Sequence, residues 1–420
     1  MSNPSSPATS TAAGEQQLHD QDHRDEAALQ QEHAAAGIIP DDEDKLSPPR
    51  CEWEFRLAAT VPSPALAGAS DSIGSLDFDP TGRHLATGGI ARKIRIYRVA
   101  EPSSPAACIC VPAKLSSVRW RPGGGEAVAA SHVGCGDYDG VVTEYDVERG
   151  VPVWERDEHE GRRVWALDYA RGGGAATMVA SGSDDRTAHV WDPRVPAGAA
   201  GSWATARAGG AVLCVEFDPA GGPQLAVGSA DRRAAVHDVR ALGRGAVASM
   251  DGHGRAVTYV RWAAAARRVV TSAADGTHRL WALPAPAAPE TAAREVRSYS
   301  GHVSGRSFVG MGVWRGAGLI ASGSESGHVF VYDLRWSKPI WVHPFSHADA
   351  FVSAVAWRQL AGDDSDGQLV AGGSDGVLKL FTTHRRLTPD VAGVGATTTT
   401  TWLHDSEQRI ANTSSSSSIN

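Results

Sequence analysis

The sequence predicts an all-β protein in which seven small four-stranded sheets stand radially in a closed ring, with disordered tails at both ends. Three observations predict it. A strand-ending aromatic or histidine recurs seven times at intervals of 44 to 51 residues. A second alternating segment lies upstream of each one, and Gly, Asp, Pro and Ser punctuate the joins, leaving almost no room for helix.

Taken in order, the units are SIGSLDFDP with GGIARKIRIY ending at Tyr97, KLSSVRWRP with GDYDGVVTEYD at Tyr145, and RVWALDYA with SGSDDRTAHVWD at Trp191. VLCVEFDP with VGSADRRAAVHD at His237, AVTYVRWA with SAADGTHRLW at Trp281, SFVGMGVW with SGSESGHVFVYD at Tyr332, and FVSAVAWR with GGSDGVLKLF at Phe381 follow. Such spacing is that of WD40 repeats. One four-stranded unit cannot cover both its faces, so units stack on neighbours, and radial stacking also shortens exposed strand edges. A seven-bladed WD40 β-propeller is therefore expected. The seventh unit ends at its third strand, so WEFRLAA (53–59) is assigned as the outer strand that closes the ring. The expected organisation is an acidic tail over 1–50, the propeller over 51–383, and a Thr/Ser-rich tail over 384–420, both tails disordered.

Composition excludes several classes of function. Hydrophobic residues make up 42% and charged residues 21% of 420, a globular balance. The net charge of -8 is concentrated in residues 1–50, where ten Asp/Glu face three Lys/Arg; the near-neutral remainder argues against nucleic-acid binding. Cys51, Cys108, Cys110, Cys135 and Cys214 are scattered, and their one C-x-C pair fits no usual zinc spacing, so no metal, cofactor or disulfide is assigned and a reducing compartment is expected. The N-terminus lacks the basic flank and apolar run of a signal peptide, and no stretch approaches 18 uninterrupted apolar residues, which predicts an intracellular chain that spans no membrane.

An Asp six residues before the anchor recurs as Asp139, Asp185, Asp231, Asp275 and Asp375, with Ala91 and Ser326 in the remaining units. In unit three this predicts a buried hydrogen-bond network of His159, Ser181, Asp185 and Trp191, and in unit five one of His253, Thr271, Asp275 and Trp281. Repeated His, Ser and Asp residues imitate hydrolase triads, but a triad needs one exposed nucleophile with an oxyanion site, not partial copies around a ring. With no Walker loop, H-E-x-x-H, G-x-S-x-G or zinc ligand set, no enzyme activity is expected.

Some residues depart from the repeat. HEGRRVWALDY opens unit three with Arg163 and Trp165, and strict alternation places both with Leu167 and Tyr169 on one side, at the rim of one face. An arginine beside a large aromatic suits an interaction hot spot; the competing reading is that Trp165 packs between blades and Arg163 is solvated. Lys114, Tyr138, Arg255 and Phe308 occupy comparable points, and a ring of these six would suit an extended acidic-apolar peptide. On the opposite face, Trp191-Asp192-Pro193-Arg194 is echoed at His237-Asp238-Val239-Arg240 and Tyr332-Asp333-Leu334-Arg335, where the Arg either caps its turn or faces a partner.

ASDSIGSLDFDPTGRHLATGGIARKIRIY, PAKLSSVRWRP, GDYDGVVTEYDVERGVPVWERDEHEGRRVWALDY, SADRRAAVHDVR, GHVSGRSFVGMGVW and VYDLRWSKPIWV together resemble the plant repressors of UV-B photomorphogenesis, over about residues 52 to 382. These are short WD40 proteins related to the propeller of the constitutive-photomorphogenic ubiquitin ligase. The resemblance implies negative feedback in UV-B signalling, through binding the C-terminal region of the UV-B photoreceptor and returning it to its inactive dimer, in competition with that ligase. It assigns Lys114, Tyr138, Arg163, Trp165, Arg255 and Phe308 to a groove for acidic valine-proline peptides. The box at Trp191, Asp192 and Arg194 resembles those recruited by the damaged-DNA-binding adaptor of cullin-4 ligases, which implies the alternative of a substrate receptor for a light-signalling transcription factor. A location in nucleus and cytoplasm is expected.

Overall fold

The computed structural model describes residues 52–64, 70–123, 131–171, 178–196, 203–263, 267–285, 291–306, 308–345, 350–359 and 366–386. Nearly all of both proposed tails lies outside them. The described residues form seven antiparallel four-stranded sheets. Blade 1 runs Ile73–Phe78, His84–Gly89, Lys93–Arg98 and Ala107–Cys110 from axis to rim, and blades 2 to 6 repeat this order. The 3₁₀ turn Val239–Arg244 is the one helical element among the described residues.

Blade 7 is composite. Val352–Arg358, Asp366–Gly373 and Leu378–Arg385 come from the end of the propeller sequence, and Trp53–Val61 pairs antiparallel with the last of them, from Trp53 opposite Arg385 to Val61 opposite Leu378. This is the closure that the 53–59 segment predicts. The last strand runs to Arg385, two residues past the expected propeller boundary, because Glu52 and Trp53 provide it with partners there.

The core lies between blades, one apolar cluster at each junction. Trp314, Val352, Trp357 and Phe381 fill the contact of blades 6 and 7, and Val142, Val164, Leu167, Tyr169 and Trp191 that of blades 2 and 3. Burying each large side chain is worth about 1.5–3 kcal/mol. All seven anchors are buried. Close approach sets some residue choices: a Cβ at Gly136 would stand 2.6 Å from the Val164 side chain, and one at Gly182 2.4 Å from that of Val212, so the second strand needs glycine where the next blade's valine enters.

In six inner strands the register slips by one residue at the same point, at Gly74, Ser116, Trp165, Leu213, Thr258 and Ser353. These are β-bulges, and they correct the strict alternation expected of HEGRRVWALDY. The extra residue groups Val164 with Leu167 and Tyr169 against blade 2, sets Ala166 and Asp168 toward blade 4, and leaves Trp165 on the channel lining. At other bulges small hydroxyls use the same exit to tie blades together. Ser116 donates to the Val164 carbonyl and Ser353 to that of Ile73.

Candidate functional site

On the face where the inner strands begin, the bulge leaves Trp165 half-buried at the mouth of an axial channel of about 320 Å³. Its indole N–H donates to Asp184 at 2.6 Å, and Asp184 is in turn placed by its own backbone N–H on the Arg163 carbonyl. The Arg163 guanidinium carbon lies 3.8 Å from the Tyr138 ring centroid and 4.6 Å from that of Trp165, a double cation-π contact. Phe308, from blade 6, meets the Trp165 ring at 4.6 Å. Tyr138, Arg163, Trp165 and Phe308 thus form one continuous stack reaching from blade 2 across the mouth.

Among the described residues no carboxylate lies within 4.0 Å of Arg163, and its Nε is buried without a hydrogen-bond partner. Arg163 and Trp165 pack on Tyr138 and Phe308, and both are half-buried. Lys114 is exposed beside Tyr138, whose backbone N–H donates to the Lys114 carbonyl. Arg255 stands apart from the stack, exposed, with a long bond to the Ala274 carbonyl and its guanidinium near Gly305.

The two repeat networks differ. In blade 5, Trp281 Nε1 donates to Thr271 Oγ1 at 2.8 Å, Thr271 bonds His253 Nε2 at 2.6 Å, and His253 Nδ1 meets Asp275 at 3.0 Å. The carboxylate sets the tautomer, so the proton sits on Nδ1 and Nε2 accepts from the hydroxyl. Blade 3 repeats His159 with Ser181 at 2.6 Å and with Asp185 at 2.7 Å, but Trp191 Nε1 has no partner, which corrects its expected membership. Threonine's β-branch holds its hydroxyl in one rotamer where histidine and indole both reach it; serine lacks that restriction. Burial raises the Asp185 carboxyl, but the bonds from His159 and Thr187 outweigh it and hold it at about 2. The donor atoms of His159, Asp185 and His189 lie within 4.8 Å of one another, yet both His159 nitrogens are committed to this network.

In the box of blade 3, Arg194 Nε and Nη2 fork onto Asp192 at 3.0 and 2.6 Å, which holds the Asp192 carboxyl below its usual range. Arg240 on Asp238 and Arg335 on Asp333 make the same fork. Trp191 itself is buried in the blade 2/3 junction. Of the two readings left open, the turn cap is the one this geometry displays, and it does not distinguish Arg194 from its counterparts.

Sequence reasoning missed the charged belt inside the channel. Asp77 accepts from the Trp120 N–H at 2.8 Å, Asp168 from Phe217 at 2.7 Å, and Glu216 from Trp262 at 2.6 Å, each joining its blade to the next. Burial, and then the charge of Glu216, push the Asp168 carboxyl up to about 6. The signal was a charged residue one place before the end of otherwise apolar inner strands.

Residues 61–98, 150–192 and 245–282 match the family model "WD domain, G-beta repeat". The chain is 47% identical to WD repeat-containing protein RUP1 of Arabidopsis thaliana over 79% of its own length and 86% of the relative's, and 49% identical to RUP2 of the same plant over 76% and 89%. The chain belongs to the RUP family of WD-repeat proteins. The chain is also 29% identical to the E3 ubiquitin-protein ligase COP1 of Pisum sativum over 81% of its own length, and spans half of that larger protein.

Proposed function

We propose that this RUP-family propeller is a non-catalytic regulator of light signalling, in nucleus and cytoplasm, that represses UV-B responses by binding the C-terminal region of the UV-B photoreceptor. The groove of Lys114, Tyr138, Arg163, Trp165, Arg255 and Phe308 takes an acidic-apolar segment of that region. One observation carries the reading. The Arg163 guanidinium lies against the Tyr138 and Trp165 rings, half-exposed and without a carboxylate of its own among the described residues. A charge fixed in place before binding loses little entropy when a ligand carboxylate arrives, and the adjoining rings offer apolar contact.

Binding shifts the receptor between monomer and dimer only as far as the propeller's affinities for the two states differ, or as it binds the connecting transition state more tightly. The same groove would place this chain in competition with the COP1-type ligase for one peptide. Calorimetry with the photoreceptor's C-terminal peptide tests the reading. Arg163→Ala and Trp165→Ala each weaken binding by about 1 to 4 kcal/mol while the protein stays folded; unchanged affinity in both variants overturns the assignment.

A further inference from the structure

The channel carries an imbalance that the groove does not explain. Its charged lining among the described residues is Arg119, Arg171, Arg261 and Arg315 against Asp77, Asp168 and Glu216. Each carboxylate already has one oxygen on the neighbouring blade's backbone N–H. Arg315 alone holds a close ion pair, to Glu216 at 2.9 Å; Arg119 stands 4.0 Å from both Asp77 and Asp168. Arg261 spends one nitrogen on Cys214 Sγ and the Val260 carbonyl, and no described carboxylate lies within 4.0 Å of Arg261 or Arg171. Burial lowers the proton affinity of Arg315, Glu216 raises it, and the like charges of Arg171 and Arg261 lower it again.

Arg119 and Arg261 are half-buried and Arg171 is exposed; guanidiniums gathered at one mouth and outnumbering their carboxylates are the donors that match oxyanions in forked pairs. All four lie toward the ends of the inner strands, at the mouth opposite the Trp165–Phe308 stack, and line the same axial channel. We infer that this mouth of the channel is a binding site for a small phosphate-type oxyanion, held by Arg119, Arg171 and Arg261. Its residues differ from those of the peptide groove at the other mouth of the same channel, so either can fail alone.

Isothermal titration of inorganic phosphate into the full chain, at constant ionic strength in chloride, tests it, with glycerol 3-phosphate as a second arm. One saturable site is expected. A tighter fit for glycerol 3-phosphate identifies an organic phosphate as the ligand, and an equal or weaker one identifies free phosphate. Arg171→Gln, at an exposed position, weakens binding by roughly ten-fold, the scale of one charge-assisted bond. Arg261→Met abolishes it, and where that variant fails to fold, Arg119→Gln takes its place. Absence of heat with the unaltered protein, or equal affinity in Arg171→Gln, overturns the inference. Arg163→Ala leaves phosphate binding unchanged; a loss there overturns the separation of the two sites.

Discussion

Trp165 of blade 3 and Phe308 of blade 6 lie with ring centroids 4.6 Å apart and planes inclined by 31°, so two non-adjacent blades touch across the channel mouth. Aromatic pairs of this kind contribute about 0.5–1.5 kcal/mol beyond their burial. Phe308→Ala should therefore weaken peptide binding less than Trp165→Ala does, and a double-mutant cycle should give a coupling of about 1 kcal/mol. Strict additivity in that cycle would remove the stack from the account of the groove.

The second expectation concerns acid. His278 and His302 stack at 4.0 Å, both buried; burial and the neighbouring His302 drive His278 well below its usual range, and burial holds His302 at about 4. The unfolded chain binds these protons near pH 6.5 and the folded chain does not, so stability is fully present above 6.5 and is lost as pH falls toward 4. Each histidine adds a slope of about 1.4 kcal/mol per pH unit in that window. Asp185, held at about 2, adds its own loss only below about 3.8. Urea titrations at several pH values should show the first slope reduced in His278→Phe, whose parent has both ring nitrogens unpartnered.

Unequal networks give unequal costs. Thr271→Val orphans two groups, the Trp281 N–H and His253 Nε2, whereas Ser181→Ala orphans His159 Nε2 alone. At about 1–3 kcal/mol for each unsatisfied group, the blade 5 change should destabilise by about twice as much. Equal midpoints in chemical denaturation would contradict the chain of bonds drawn for blade 5.

A stabilising change is available at Arg186. It sits at φ 69° in a turn where other blades have Gly140, Gly276, Gly327 and Gly376, also at positive φ. Relieving the left-handed conformation outweighs glycine's extra freedom when unfolded, so Arg186→Gly should raise stability by about 0.5–1 kcal/mol. A lower melting temperature would mean that the arginine side chain compensates for its strain.

Periodicity made the architecture legible because the recurring anchors and Asp turns repeat a local chemistry, and the missing fourth strand of unit seven pointed back to Trp53. The groove was legible only in part. Bulges leave no mark in hydrophobic alternation, so the side on which Trp165 emerges could not be read from HEGRRVWALDY. Blade 6 shows a similar limit: with Ser326 in place of the turn Asp, His302 turns to the Tyr332 hydroxyl at 3.1 Å, a choice set by a neighbouring strand. The charges of the channel are isolated in sequence and become a cluster only when the ring closes.

The composite seventh blade also sets a timetable for the growing polypeptide. Glu52 and Arg385 are 333 residues apart and form an ion pair at 3.0 Å. At about 5–20 residues per second, the Trp53–Val61 strand waits roughly 15–70 s for its mate. During that wait its exposed edge is a target for chaperones or for another nascent copy, and termination before the Leu378–Arg385 strand would leave the product with a latch and nothing to fasten.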